Sequence, residues 1–270
     1  MIMELKIAPN GVAYYTSSKL GCPNAFFTRI GGVSEGNTYS LNLAYGRGDG
    51  EDTVKKNLAL CAEALGFVSE HVISCPQIHS ANVIEVGADD RGLGYFKTAE
   101  GCDGYVTRET DIVLGVKTAD CVPVLISAKE EGRVIAVSAV HAGWRGTVSL
   151  IVKEAVRKLL VGGVTPDNIY AAIGPSAGAC CYEVGEDVFL AAKENCSERA
   201  LTSAFTSSGR EGHYFVDLKS LNACLLHECG IPYENIDISE MCTVCDPVQF
   251  YSHRRDGSAR GTHLNVIFMK

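Results

Sequence analysis

Arg133-Val-Ile-Ala-Val-Ser-Ala-Val140 is followed at once by His141-Ala-Gly-Trp-Arg-Gly146. A strand with one wet face alternates polar and apolar residues, whereas a strand covered on both faces reads as a nearly continuous apolar run. Arg133–Val140 is of the second kind. The next residues supply two glycines, a histidine, a tryptophan and an arginine, which packing alone does not ask for. A helix is then predicted from about Thr147 to Leu160, with Thr147 as its N-cap and Ile151, Ala155 and Leu159 on one apolar stripe.

Working outward, Pro123–Ser127 reads as a strand joined to Arg133–Val140 through the turn Lys129-Glu-Glu-Gly132. Further strands are expected at Val72–Ser74, Val83–Val86, Ile112–Val116, Ile169–Ile173 and Leu264–Phe268. The segment Glu51–Leu65 places Val54, Leu58, Cys61 and Leu65 at helical spacing, with Asp49 or Asp52 to cap it and Gly66 to end it. Helices are also expected near Glu186–Lys193 and Asp217–Glu228, the latter closed by Gly230. Thr202–Gly212 is polar and carries glycine, so a mobile loop is expected there. Hairpins mixed with a strand–helix–strand unit, without repeats or linkers, indicate one α/β domain over residues 1–270. Its mixed β-sheet is flanked by helices.

The net charge of −8 and the absence of Lys/Arg runs argue against nucleic-acid or anionic-membrane partners, and no protein partner is evident. Met1-Ile-Met-Glu-Leu-Lys6 lacks the apolar stretch of a signal peptide, and no apolar run approaches membrane-spanning length, so a cytoplasmic location is expected. Twelve cysteines in a chain of 270 residues do not call for a disulfide framework. Cys61 and Cys224 sit in helical patterns, where a small buried thiol is the ordinary reading.

Three segments put chemically unusual residues at strand ends: Gln77-Ile-His-Ser80, Thr118-Ala-Asp-Cys121 and His141–Gly146. Taken singly, His79 and Cys121 are ordinary surface or core residues. Together with His141 they make a sensible ligand set for Zn²⁺, leaving a fourth position for water, as catalytic zinc sites do. Gly143-Trp-Arg-Gly146 also opens a helix, where free N–H groups attract anions, and Arg145 adds a bidentate donor for phosphate or carboxylate. Trp144 either stacks on a flat ring or simply packs. Arg29, in the glycine-containing turn Phe27–Ser34, is a second candidate anion ligand beside the bland reading of a solvated charge. Cys242-Thr-Val-Cys245 is half of a structural zinc site, a redox pair, or two ordinary cysteines. No second C-x-x-C completes it, His253 or Cys229 could join only if close, and ordinary cysteines are the favoured reading.

Read together, Phe27-Thr-Arg29, Gly31–Ser34, Ser40-Leu-Asn-Leu43, Gln77-Ile-His79, Thr118–Val124, His141–Gly146, Ile173-Gly-Pro175, Cys181-Tyr-Glu-Val184, Phe250-Tyr-Ser252 and Arg254–Gly257 resemble one family. It is the laccase-domain, polyphenol oxidase-labelled family of zinc-dependent purine nucleoside phosphorylases. The resemblance implies a one-domain α/β fold related to cysteine-hydrolase-like toxins. It implies phosphorolysis of adenosine, inosine and methylthioadenosine, with adenosine deamination as a side activity. It also implies metal binding by His79, Cys121 and His141. Arg29, Asn42, Gln77, Asp120 and Arg145 fall in matching blocks. Asp120 is read as a catalytic proton carrier and the other four as substrate or phosphate ligands. The chain departs from the family pattern at Ser80, where glycine is common, and at Gly261-Thr-His263.

Rival chemistries leave different marks. A multicopper oxidase needs many imidazoles, often as His-X-His; seven histidines and no such pair do not provide them. One Cu²⁺ at the same ligands is still compatible, because copper outcompetes zinc at most nitrogen and sulfur sites, and copper loading would give phenol oxidation. A standard zinc nucleobase deaminase carries His-X-Glu and Pro-Cys-X-X-Cys; here Ala142 and Gly143 follow His141, and Met241 precedes Cys242. A metal-free Cys121–His141 pair would make a thiol hydrolase instead. A pure binding module would have no turnover to lose.

Overall fold

A computed structural model describes residues 3–270; Met1 and Ile2, which open the N-terminal segment read above, lie outside the described residues. The apolar stretch forms the strand Arg133–Ala142. It pairs antiparallel with Val122–Glu130 on one side and with Gly104–Thr107 on the other. The hairpin is tighter than the four residues expected. Its strands run to Glu130 and from Arg133, and Glu131 and Gly132 both take positive φ (49° and 80°). A two-residue turn of that hand matches the right-handed twist of its strands.

The described residues form two mixed six-stranded sheets where one mixed sheet was expected. The first runs Ile236–Ile238, Ile169–Ile173, Val122–Glu130, Arg133–Ala142, Gly104–Thr107, Val83–Glu85, with only its end pairs parallel. The second runs Glu4–Ile7, Ala13–Thr16, Asn24–Phe27, His263–Phe268, Val113–Thr118, Val72–Ile73, with only the last pair parallel. The sheets stack face to face: Leu125, Val137 and Ala139 of one meet Phe26, Leu114, Val116 and Ile267 of the other. On the opposite face of the first sheet, Val122, Val124, Ile126 and Ala128 pack against the helices Ile151–Leu159 and Leu218–Glu228. Both faces being apolar is why the strand shows no alternation.

The helix Glu51–Leu65 covers the outer face of the second sheet with Val54, Leu58 and Cys61, and Gly66 ends it at φ 78°. Its N-cap is Gly50, and neither Asp49 nor Asp52 caps it. Asp49 instead accepts hydrogen bonds from Ser34, Thr38 and Asn42. The helix after His141 starts earlier than expected, at Trp144 with Gly143 as N-cap, so Thr147 lies inside it. That helix stops at Val148; Leu150, at φ 64°, separates it from Ile151–Leu159.

Thr202–Gly212 is not one loop. It finishes the helix Glu198–Ala204 and then forms the strand Phe205–Ser207, paired with His213–Val216 in a small third sheet. Phe189, Phe205 and Tyr214 pack together there, and those aromatics anchor a segment that its polar residues disguise. The twelve cysteines are free, with Cys61 and Cys224 buried. Among the described residues no helix is long and apolar enough to cross a membrane.

Candidate metal centre

Cys121 lies where the chain leaves one sheet for the other, between Val113–Thr118 and Val122–Glu130. His141 is on the inner strand, and His79 is in the loop that leads to Val83–Glu85. Ligand atoms of the three residues lie within 4.8 Å of one another. Cys121 Sγ is 3.9 Å from His79 Nε2, and the imidazole rings meet edge to face with centroids 4.9 Å apart. His141 is buried, Cys121 half-buried and His79 exposed, so the group opens to solvent on the His79 side.

The residue that organises this group is Asp103, which sequence reasoning missed. It has no solvent exposure. Its Oδ1 lies 2.9 Å from His141 Nδ1 and accepts from the His79 backbone N–H at 3.0 Å. Oδ2 accepts from Ser80 N–H (2.7 Å), the Ser80 hydroxyl (2.8 Å) and Ile78 N–H (3.3 Å). One carboxylate thus orients one ligand ring and holds the backbone of another, as the outer partners of metal-binding histidines do. Its only signal in the sequence is a lone acid before a glycine at the start of an apolar strand, which is too common to single out.

Burial opposes the charge on Asp103, but the bonds from His141 and Ser80 outweigh it and hold the carboxyl at about 2. Burial also opposes a charged Cys121, yet His141 and His79 bring the thiol down to about 6. Burial alone would lower His141; the Cys121 thiolate and Asp103 instead raise it to about 9. Without a metal, the pair is therefore a thiolate and an imidazolium at neutral pH.

Two backbone features fit the same purpose. His79 and Asp120 take positive φ (60° and 94°), a region costly for residues with a Cβ. At Gly143 an added Cβ would stand 3.0 Å from His79 Cδ2 and 3.2 Å from Cys121 Sγ, inside the space where the ligand atoms converge. Two imidazoles and one easily ionised thiol are donors that suit Zn²⁺, and the group can hold one metal ion with room for a further ligand.

Two hollows share His79, Ala119 and Cys121 in their walls. One, of about 320 Å³, is bordered by Trp144, Arg145, Tyr182, His253 and Arg254. The other, of about 310 Å³, is bordered by Tyr45, Arg47, Gln77, Lys117 and Arg260. Burial keeps the Tyr182 phenol up at about 12, against the opposing pull of Arg254 and Arg145.

The other predicted site residues are placed unevenly. Arg145 borders the first hollow with its guanidinium over the Trp144 ring at 4.2 Å. Its helix has only five residues, so little helix dipole supports the expected anion-binding turn. Gln77 borders the second hollow, but its amide exchanges hydrogen bonds with the Lys117 backbone at 2.7 and 2.6 Å and so staples the loop to a strand. Asp120 borders the first hollow. Its carboxylate already accepts from the Thr243 hydroxyl (2.6 Å), the Ser252 hydroxyl (3.0 Å) and Arg254 N–H (2.6 Å). Those three bonds tie the residue expected as a proton carrier to the 243–254 segment.

Asn42, expected as a substrate ligand, lies away from both hollows' walls. It is fully buried, and its amide is used up by Ala44, Asp49 and the Thr262 N–H. Arg29 is likewise displaced from the centre. It donates to the carbonyls of Tyr39 and Pro247, lies over the Tyr251 ring, and borders a separate depression with Arg255 and Asp256.

The sequence profile of the family described as "Multi-copper polyphenol oxidoreductase laccase" matches residues 23–270. The chain is 38% identical over 245 residues to "Purine nucleoside phosphorylase YlmD" of Geobacillus stearothermophilus, covering 89% of this chain and 87% of that protein. It is 36% identical over 250 residues to "Adenosine deaminase RL5" of an unknown prokaryotic organism, covering 91% and 94%. The crystal structure of YlmD from Geobacillus stearothermophilus superposes with a TM-score of 0.91 at 33% identity, over 99% of both chains. By sequence profile, relatives and fold alike, the chain belongs to the multi-copper polyphenol oxidoreductase laccase family.

Proposed function

We propose that the protein is a zinc-dependent purine nucleoside phosphorylase for adenosine, inosine and methylthioadenosine, with His79, Cys121 and His141 as the metal ligands. The names of the relatives support the reaction class. The observation that carries the reading beyond them is at the second hollow. Arg260 is 8% exposed, its Nε has no hydrogen-bond partner among the described residues, and Arg47 stands close enough to oppose its charge further. A buried guanidinium with an unsatisfied donor beside a second cation calls for an anion. We place phosphate there, with Lys117 as a further cation, and the nucleoside in the first hollow against Trp144 and Tyr182. Arg145 then serves the nucleoside side.

The two hollows share His79, Ala119 and Cys121 in their walls, and displacement at C1′ requires the phosphate to reach the face of that carbon opposite the purine. A phosphate oxygen bonds to C1′, the C1′–N bond breaks with its electron pair going to the purine, and the purine gains the proton that hydrogen phosphate gives up; ribose 1-phosphate and free base leave. Arg47, Arg260 and Lys117 hold the phosphate charge in place. Asp120, through Arg254 and Ser252, holds the outer wall of the nucleoside hollow. A zinc ion at the triad would supply Lewis-acid stabilisation of the negative charge that develops on the departing base or on a bound water.

The family description names copper. Of the groups among the described residues that could hold a metal, only the cleft triad contains histidine, and it contains two. That donor set suits one ion rather than a multicopper assembly. Product analysis with adenosine on protein of known metal content tests the proposal. Adenine and ribose 1-phosphate, formed only with phosphate present, support it; inosine as sole product makes the enzyme a deaminase. Loss of turnover on chelation with recovery on adding Zn²⁺ separates it from a thiol hydrolase, which chelators leave active, and from a copper oxidase, which needs Cu²⁺.

A further inference from the structure

A second group of donors lies outside the cleft. Ligand sulfurs of Cys180, Cys181, Cys242 and Cys245 all lie within 4.8 Å of one another. Cys245 Sγ is 3.3 Å from Cys181 Sγ and 3.6 Å from Cys180 Sγ. These separations exceed a disulfide bond of about 2.05 Å, and all four cysteines are free. They are close to the edge of a sulfur tetrahedron around zinc, roughly 3.8 Å when each Zn–S bond is about 2.3 Å.

The fold brings the two pairs together for a stated reason. Ile169–Ile173 and Ile236–Ile238 are parallel neighbours, so the loops that follow them leave the same end of the sheet. Those loops are then joined by a bridge between Ser176 and Cys242, with Thr243 N–H donating to Ser176 O at 3.0 Å. The partners considered from sequence do not join: Cys229 Sγ turns to Leu225 O, and His253 Nδ1 to Gly257 O.

Packing does not explain the convergence, because free cysteines are usually buried. Cys180 and Cys245 are exposed and the other two only half-buried. Backbone N–H groups face one of the four sulfurs. Gly178 N–H donates to Cys242 Sγ at 3.2 Å, and the N–H groups of Cys245 and Val244 are also directed at it. A Cβ at Gly178 would stand 3.3 Å from Cys180 Sγ and 3.6 Å from Cys242 Sγ, crowding the ligands.

We propose that Cys180, Cys181, Cys242 and Cys245 form a closed, four-thiolate zinc site with a structural role, separate from the cleft triad. It ties the 176–182 loop to the 241–246 loop. Thr243, inside the C-x-x-C, donates to Asp120 at 2.6 Å, and Tyr182, next to Cys181, borders the nucleoside hollow. The site therefore fixes one wall of the cleft without touching what binds in it.

The test is metal analysis of the full-length protein, produced with zinc in the medium and purified with reductant. Wild type is expected to hold two zinc ions per chain, and the double variant Cys242→Ser/Cys245→Ser one. Should that variant fail to fold, the reciprocal Cys121→Ser/His141→Ala protein decides. It should keep one zinc, with four sulfur neighbours at about 2.3 Å by X-ray absorption. A shell containing nitrogen, bound iron in place of zinc, no metal in the reciprocal variant, or a Cys181–Cys245 disulfide in the reduced preparation would overturn the proposal. The wild-type count of two rests on zinc at the cleft triad, whereas the result in the reciprocal variant does not depend on what that triad binds.

Discussion

His141 Nδ1 and Asp103 Oδ1 are 2.9 Å apart in a place from which solvent is excluded, and the same carboxylate oxygen holds the backbone N–H of His79. One buried acid thereby sets the orientation of two of the three candidate ligands. Asp103→Asn keeps the shape but removes the charge that aligns the ring. Zinc affinity should fall about 10- to 100-fold, as for other groups behind a ligand histidine. Competition with a chelating indicator measures this; an unchanged affinity would show that Asp103 only supports the loop.

Asp103 also carries an acid-stability signature. Its folded-state carboxyl sits at about 2, below the ordinary 3.8. The stabilisation is complete above pH 3.8 and is lost as pH falls towards 2. It amounts to roughly 2 kcal/mol by proton linkage. Denaturant unfolding of the metal-free protein at pH 5, 3 and 2 should show wild type losing about that much more than Asp103→Asn. Parallel pH curves would refute the assignment.

Metal uptake should release protons. Without metal, Cys121 ionises at about 6 and His141 gives up its proton at about 9. At pH 7.5 the thiolate is present but the imidazole is charged, so binding must expel one proton from His141. Below pH 6 a second must leave Cys121, and affinity falls more steeply. Calorimetry in buffers of different ionisation enthalpy should give about one proton per zinc at pH 7.5, and more as the pH is lowered towards 5. No proton release at pH 7.5 would sink this account.

Gly143→Ala tests the space between the ligands. At φ −64° the backbone accepts alanine, so folding should be nearly unchanged. The methyl group would stand 3.0 Å from the His79 ring and 3.2 Å from Cys121 Sγ. Metal content and turnover should fall together, by tenfold or more, while the melting temperature of the metal-free protein stays within a few degrees. Full metal occupancy in this variant would mean the ligands converge elsewhere.

How much of this was legible in the sequence follows from which interactions are local. The inner strand and the Glu51–Leu65 helix declared themselves because apolar spacing is set by neighbours in the chain. The triad was readable because His141 sits before two glycines and an arginine that packing does not require. The sheet count was not readable: Leu125 and Val124 are both apolar, yet one faces a sheet and the other a helix layer. Nor were the roles of Asn42 and Asp120, whose partners lie up to 220 and 134 residues away. The Cys180–Cys181 pair stayed hidden because adjacent cysteines carry no ligand spacing until a parallel strand pair brings Cys242 beside them.

The division of labour between the two hollows gives the sharpest kinetic contrast. Arg47 and Arg145 are both exposed, so neither substitution should disturb folding. Arg47 stands beside the buried Arg260, whereas Arg145 lies on Trp144 across the triad. If phosphate binds on the Arg47 side, Arg47→Ala removes a charged hydrogen bond of about 1.5–3 kcal/mol and raises the KM for phosphate roughly 10- to 100-fold. The KM for nucleoside should stay within about twofold. Arg145→Ala should do the reverse, raising the nucleoside KM and sparing that of phosphate. Initial rates over a grid of both substrates separate the two. The opposite pattern would return phosphate to the Arg145 turn and leave Arg260's unpartnered Nε without a ligand to explain it.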